Sequence, residues 1–105
     1  MGKTKNFQRL ISLLVVALRH KIGSIVNEYE IYAQKYAKDA EILLNEAQKV
    51  AIKENWNHYD KIKIRETLKK RLKSELEIKT FLNDKKFEIM EKEIDKILKG
   101  FGLMI

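Results

Sequence analysis

Apolar residues recur every three or four positions through the first half of the chain. The stripe runs from Phe7 to Val50 through Ile11, Leu14, Leu18, Ile22, Ile25, Tyr29, Tyr32, Tyr36, Ala40, Leu43 and Ala47. Such spacing places one apolar face along an α-helix. Proline is absent, and Gly23 is the only glycine between residues 3 and 99, so few residues interrupt the pattern. We predict a long N-terminal helix that is kinked near Gly23, with folding back at that glycine as the alternative.

A second helix is predicted after the Asn-Trp-Asn-His stretch at residues 55–58. Asn57 is suited to cap its N-terminus, and Asp60 stands three residues later, where a carboxylate is favoured by the helix dipole. Apolar residues at Ile64, Leu68 and Leu72 continue the helical spacing. We expect this helix to extend from about residue 58 to residue 82.

A last helix is predicted from the spacing of Phe87, Met90, Ile94, Ile97 and Phe101. Its boundaries are assigned from caps: Asn83 before it, with Leu82 and Phe87 placed for a hydrophobic staple, and Gly100 as the C′ residue just past its end. At 105 residues the chain is expected to form one domain, residues 1–105. The predicted fold is therefore all-α: a small helical bundle with a long, kinked N-terminal helix and two shorter C-terminal helices.

The segment from Leu10 to Leu18 is apolar on nearly every side of its helix, with Ser12 as its one polar residue. Such a helix must be buried by several neighbours or by another chain. We therefore expect a homo-oligomer through Leu10, Ile11, Leu14 and Leu18. Nine residues of helix reach about 13 Å against a hydrocarbon core of roughly 30 Å, so no transmembrane insertion is expected.

The net charge of +7 is concentrated in two parts of the chain. Residues 1–26 contain five lysines and arginines and no acid, and residues 55–73 contain seven against two acids. The second group consists of Lys61, Lys63, Arg65, Lys69, Lys70, Arg71 and Lys73. Cations along one helix bind phosphates by releasing condensed counterions, so these seven residues are the predicted nucleic-acid-binding site.

Three interpretations of this basic helix stay open. It binds DNA or RNA, it binds an acidic protein or a membrane surface, or it is a solvated face that only maintains solubility. Trp56 and Tyr59 lie about one turn upstream of the first cations, where an exposed ring would stack on a base. The competing interpretation of Trp56 is a plug at the end of the core, and helical spacing explains Tyr29, Tyr32 and Tyr36 as half-buried core residues.

Residues 50–76 resemble the C-terminal helical region of type I restriction endonuclease subunits. The resemblance is carried by Trp56, Arg65 and the run Lys69-Lys70-Arg71-Leu72, while Glu75-Leu76-Glu77 stands where that family has Gly-Tyr-Pro. In that family the region helps to assemble the subunit with its methyltransferase partners on DNA. The resemblance implies the alternative function, a structural or oligomeric scaffold subunit of a larger complex.

Candidate catalytic chemistry is sparse. The chain has no cysteine, His20 and His58 are its two histidines, and no serine has an adjacent base. The acids of the last predicted helix alternate with lysines and do not suggest a metal site. We therefore expect no enzymatic activity, cofactor or metal. The lack of cysteine fits a reducing compartment, and we expect a cytoplasmic location.

Overall fold

A computed structural model describes residues 2–26, 33–78 and 85–104 of the chain, and these residues fold into four α-helices. The helices are α1 (Gly2–Val26), α2 (Ala33–Ala51), α3 (His58–Ile78) and α4 (Lys85–Gly100). No strand is present in these three segments. The predicted all-α bundle is confirmed.

Helix α1 is the centre of the bundle. It packs against α2, α3 and α4, and α3 also packs against α4. Within the described residues α2 packs against α1 alone. The molecule is therefore a three-helix group of α1, α3 and α4, with α2 covering the remaining apolar side of α1.

The contacts of α1 fix the directions of its neighbours. Near its start, the Asn6 Nδ2 donates a hydrogen bond of 2.8 Å to Oε1 of Glu54, just after α2 ends, so α1 and α2 are antiparallel. Toward its other end, Arg19 Nη1 lies 3.2 Å from the Glu75 carboxylate late in α3. Because Lys3 at the start of α1 pairs with Asp60 at the start of α3, these two helices are parallel.

The apolar segment of α1 is buried inside a single chain. Leu10, Leu14 and Leu18 are 0% exposed and Ile11 is 1% exposed, in a core shared with α2, α3 and α4. The prediction that these four side chains form a homo-oligomer interface is therefore wrong. The apolar residues on nearly every side of this segment suggested burial by another chain. Three helices of the same chain cover them instead.

The long, kinked N-terminal helix is not confirmed. Helix α1 continues through Gly23 to Val26, and α2 begins at Ala33 and packs beside it. One helix over residues 7–50 would be about 66 Å long, whereas the longest dimension of the molecule is 41 Å. The spacing of apolar residues persists across both helices because each of them needs a face toward the core.

Small side chains let α2 approach α1. Ala33, Ala40 and Ala47 recur every seven residues on the buried face of α2. Opposite them, a Cβ atom built on Gly23 would lie 3.8 Å from the Tyr36 ring, an ordinary contact distance. The expectation of a half-buried tyrosine is confirmed for Tyr36.

Several predictions concern residues outside the described segments. These are the cap at Asn83, the staple through Leu82, the end of the second predicted helix at residue 82, and the half-buried positions of Tyr29 and Tyr32. They stay predictions.

Helix α4 ends in a Schellman motif. The Leu103 N–H donates to the Leu98 carbonyl at 2.8 Å, and the Gly102 N–H donates to the Lys99 carbonyl at 3.1 Å. Gly102 has a φ of 71°, which only glycine adopts without strain, while Gly100 is still helical. The terminating glycine is therefore Gly102, and the prediction of Gly100 is wrong. The motif turns Leu103 back into the core, where it is buried.

Alanine substitutions at Gly100 and Gly102 are expected to change the stability of the protein in opposite directions. Gly100→Ala should raise the free energy of unfolding by roughly 0.5–1 kcal/mol, because nothing lies within 4 Å of the added Cβ and alanine favours helix. Gly102→Ala should lower it by roughly 1–2 kcal/mol, because of the left-handed backbone. Urea denaturation of both variants measures this. Equal changes in the free energy of unfolding for the two variants would show that α4 does not end in a Schellman motif at Gly102.

Candidate nucleic-acid interface

The basic helix α3 begins with a reciprocal cap. The Asp60 N–H donates to Oδ1 of Asn57, and the Asn57 N–H donates to Oδ2 of Asp60, both at 2.9 Å. The prediction of Asn57 as the cap and Asp60 as its partner is confirmed. Lys3 of α1 pairs with the same carboxylate at 2.5 Å and donates to the Asn55 carbonyl at 2.9 Å, so the start of α3 is attached to α1.

The buried row of α3 determines where its cations point. Ile64, Leu68, Leu72 and Leu76 are each 0% exposed and face the core. Residues one position before or after this row lie on its two flanks, and Lys70 lies opposite it. The seven predicted site residues are therefore divided among different environments.

Two of the seven cations are neutralised by α4. Arg65 Nη1 pairs with Oδ1 of Asp95, and Lys69 Nζ pairs with Oε1 of Glu91. The Lys69 ammonium lowers the pKa of the Glu91 carboxyl, chiefly through their hydrogen bond. Because all four side chains are partly exposed, these pairs add little stability, but they cancel the positive charge on the α3–α4 side. Arg65 and Lys69, two of the seven predicted site residues, are therefore already paired within the chain.

Two further cations, Lys61 and Lys63, lie near the start of α3. The Lys63 side chain is exposed, and its Nζ stands 5.1 Å from the centre of the Phe7 ring of α1, at cation–π distance. Lys61 is half-buried and lines an open cavity of about 280 Å³ together with Trp56 and Phe101. Of these two, Lys63 is the one whose charge faces solvent.

The remaining three, Lys70, Arg71 and Lys73, lie within one turn of α3, with Arg71 and Lys73 on opposite flanks of the buried row, and we name them the outer α3 cluster. All three are exposed and none pairs with an acid in the described residues. Glu66 and Glu77 lie one turn away from Lys70 and Lys73 but are not within ion-pair distance. The cluster keeps its full charge for an external anion.

The two aromatic residues near the start of α3 have different environments. The Trp56 indole N–H donates to the Ala51 carbonyl at 2.8 Å, and the ring packs against the core. Trp56 is thus the plug at the core end, which leaves it poorly placed for base stacking. Tyr59 is 82% exposed, and its ring remains a candidate for stacking on a nucleic-acid base.

No group of three or more histidine, cysteine or carboxylate side chains that would hold a metal is found in residues 2–26, 33–78 and 85–104. His20 contacts the Val16 carbonyl through Nδ1 at 2.8 Å and the edge of the Tyr36 ring. None of the four described helices has the length and apolar content needed to cross a bilayer.

A scan against models of protein families matched none, and neither the search of curated proteins nor that of solved structures found a match. The resemblance of residues 50–76 to the type I restriction subunits stays a prediction.

The carboxylate of Asp60 makes stability depend on pH. The hydrogen bond from Lys3, followed by that from the Asn57 backbone, lowers the pKa of this carboxyl in the folded protein. A lowered folded pKa means that the charged form stabilises the fold above the unfolded pKa, and that this contribution is lost as the pH falls through the folded value.

We expect Asp60→Asn to lower the free energy of unfolding at neutral pH. The difference from the parent should be constant above about pH 5 and shrink toward zero in more acidic solution. Urea denaturation across this pH range measures it, with Glu66→Gln as the control for net charge. A difference that stays the same down to pH 2 would contradict the role assigned to the Lys3–Asp60 contact.

Proposed function

We propose that the protein is a small, non-enzymatic nucleic-acid-binding protein that contacts the phosphate backbone, with little sequence preference, through α3. The observation that carries the proposal is the outer α3 cluster: Lys70, Arg71 and Lys73 are exposed and have no acid partner in the described residues. Lys63 extends the same side of the helix toward its N-terminus.

The chemistry of these side chains suits phosphate. Arg71 offers a planar guanidinium that donates two parallel hydrogen bonds to phosphate oxygens, and the lysines act as point charges. Phosphate contacts carry no sequence information, and nothing in this cluster is arranged to read base edges. The proposed binding is therefore driven by counterion release and falls as salt rises.

The alternative function is a structural subunit of a larger complex. Its predicted interface at Leu10, Ile11, Leu14 and Leu18 is occupied by the chain itself, so such a subunit would need another surface. The observation that favours it is on α2, where Ile42 is 54% and Ile52 is 78% exposed. The resemblance to restriction subunits fits this alternative, in which the lysines of α3 only maintain solubility.

We expect the double variant Lys70→Gln, Lys73→Gln to bind a mixed-sequence oligonucleotide more weakly than the parent. The slope of log affinity against log salt should decrease by about 1.4 for a single strand or 1.8 for a duplex, because two phosphate contacts are lost. Fluorescence anisotropy over a salt series measures the slope. Glutamine removes the charge and stays polar without placing new acids beside Glu66 and Glu77.

The matched control is Lys35→Gln, Lys38→Gln, which removes the same charge from two exposed positions on α2. The control should bind as the parent does. If both double variants lose the same affinity, net charge rather than the cluster is responsible. If the parent retains no oligonucleotide and light scattering shows a salt-resistant oligomer, the scaffold function replaces this proposal.

A further inference from the structure

The side of the bundle where α3 meets α4 carries two ion pairs that follow one another along the helices. Lys69 pairs with Glu91, and Arg65, four residues earlier in α3, pairs with Asp95, four residues later in α4. Because the two helices run in opposite directions, steps of four in each of them bring successive pairs together. Lys61 is the next position of this row in α3, where a third acid of α4 would complete the series.

Helix α4 has no acid at that position. Beyond Asp95, the residues on the same side of α4 are Leu98, Lys99 and Gly102. Lys61 is half-buried and has no acid partner among the described residues. Its charge is therefore left uncompensated on a side of the helix pair where the next two cations are neutralised.

Two open cavities adjoin at Lys61. One has a volume of about 280 Å³ and lies between the end of α4 and the connection from α2 to α3. The other has a volume of about 210 Å³ and lies between α3 and the end of α4. Because Lys61 and Leu103 line both, we name the two cavities together the Lys61 groove. Its lining includes Ile52, Trp56, Lys61, Leu98, Leu103 and Met104.

The Lys61 groove exposes apolar side chains that the fold does not bury. Ile52 is 78% exposed and lines the larger cavity, and Met104 is 39% exposed and lines the smaller one. Leu103, which the Schellman motif turns into the core, places Met104 at this edge. An apolar surface with few charges is typical of the centre of a protein–protein contact. A phosphate backbone is instead contacted by several cations and polar donors.

The charges of the groove favour a partner that brings an acid. Among the described residues that line it, Glu54 is the one acid, and its Oε1 already accepts a hydrogen bond of 2.8 Å from Nδ2 of Asn6. The other cation of the groove, Arg65, is paired with Asp95. A carboxylate from outside the chain would complete the row of ion pairs at Lys61. Because Lys61 is half-buried, salt would screen that pair less than one at the surface.

The form of the groove favours a peptide segment over a small molecule. Sites for small molecules usually have a volume of roughly 300–1,000 Å³ and enclose most of the ligand. Each of the two cavities is smaller than this and open to solvent, so each accepts a side chain rather than a whole ligand. A peptide that passes over Lys61 would place different side chains in the two cavities.

We infer that the Lys61 groove docks a peptide segment of a partner protein in which an aspartate or glutamate is flanked by large apolar side chains. The carboxylate pairs with Lys61, and the apolar side chains enter the two cavities as anchors. This inference does not depend on the proposed function, because Lys70, Arg71 and Lys73 take no part in it.

The test starts with a phage library of random dodecapeptides, selected on the immobilised parent protein. Enriched sequences should contain an acid next to large apolar residues. One enriched peptide, labelled with fluorescein, is then measured by fluorescence anisotropy. We expect it to bind Lys61→Gln about 10-fold or more weakly than the parent, as for the loss of a hydrogen bond between charged groups. Ile52→Ser should also bind it more weakly, because an apolar contact is lost.

A second peptide, in which asparagine or glutamine replaces the acid, completes a double-mutant cycle. This peptide should bind the parent about 10-fold more weakly than the acidic peptide does. The two peptides should bind Lys61→Gln with the same affinity. The matched control is Lys35→Gln, which removes one charge from an exposed position on α2 and should bind as the parent does. Circular dichroism establishes that each variant is folded.

Three results would each overturn the inference: a selection that enriches no peptide, enriched peptides without an acid, or equal losses of affinity in Lys61→Gln and Lys35→Gln. If a mixed-sequence oligonucleotide loses affinity in Lys61→Gln while the acidic peptide does not, the groove belongs to the nucleic-acid site and the inference is likewise overturned. The proposed function is tested separately by the variant at Lys70 and Lys73, so the failure of one proposal is distinguishable from that of the other.

Discussion

The structure depends on covering a helix that is apolar on almost all of its sides. Helix α1 buries Leu10, Ile11, Leu14, Val15 and Leu18, a set that no single neighbouring helix can cover. Three helices of the same chain surround it, two antiparallel and one parallel. This requirement explains why α1 contacts each of the other described helices, while α2 contacts only α1 among them.

The same arrangement distributes the charge. Antiparallel packing of α3 and α4 brings Asp95 and Glu91 against Arg65 and Lys69, so the basic helix loses its charge on that side. Parallel packing of α1 and α3 pairs Lys3 with Asp60 and Arg19 with Glu75. The positive charge left on α3 is that of Lys70, Arg71 and Lys73, which have no acid partner among the described residues.

Local features of the sequence predicted much of the fold. The cap of α3 at Asn57 and Asp60 and the buried row of Leu68 and Leu72 depend on residues a few positions apart, and the pattern contains that information. The separation of α1 from α2 was missed because the apolar spacing keeps its phase across residues 27–32. Gly102 was missed because two nearby glycines both suit a helix end, and only the backbone distinguishes them.

The pairing of the basic side chains could not be predicted, because it depends on tertiary structure. Nothing near Arg65 or Lys69 in the sequence indicates Asp95 or Glu91, which are 30 and 22 residues away. Likewise, the acid-free composition of residues 1–26 was visible, but the pairing of Lys3 with Asp60 and of Arg19 with Glu75 is seen only in the folded chain. A basic segment therefore predicts a site only after the partners of each cation are known.

The most direct test of this account is a map of backbone amide chemical shifts on adding a short single-stranded oligonucleotide. At 12.4 kDa the protein is well suited to this measurement. We expect the largest changes at Lys63–Lys73 of α3, with α2 unchanged. Changes centred on α2 or on α4 would contradict the account.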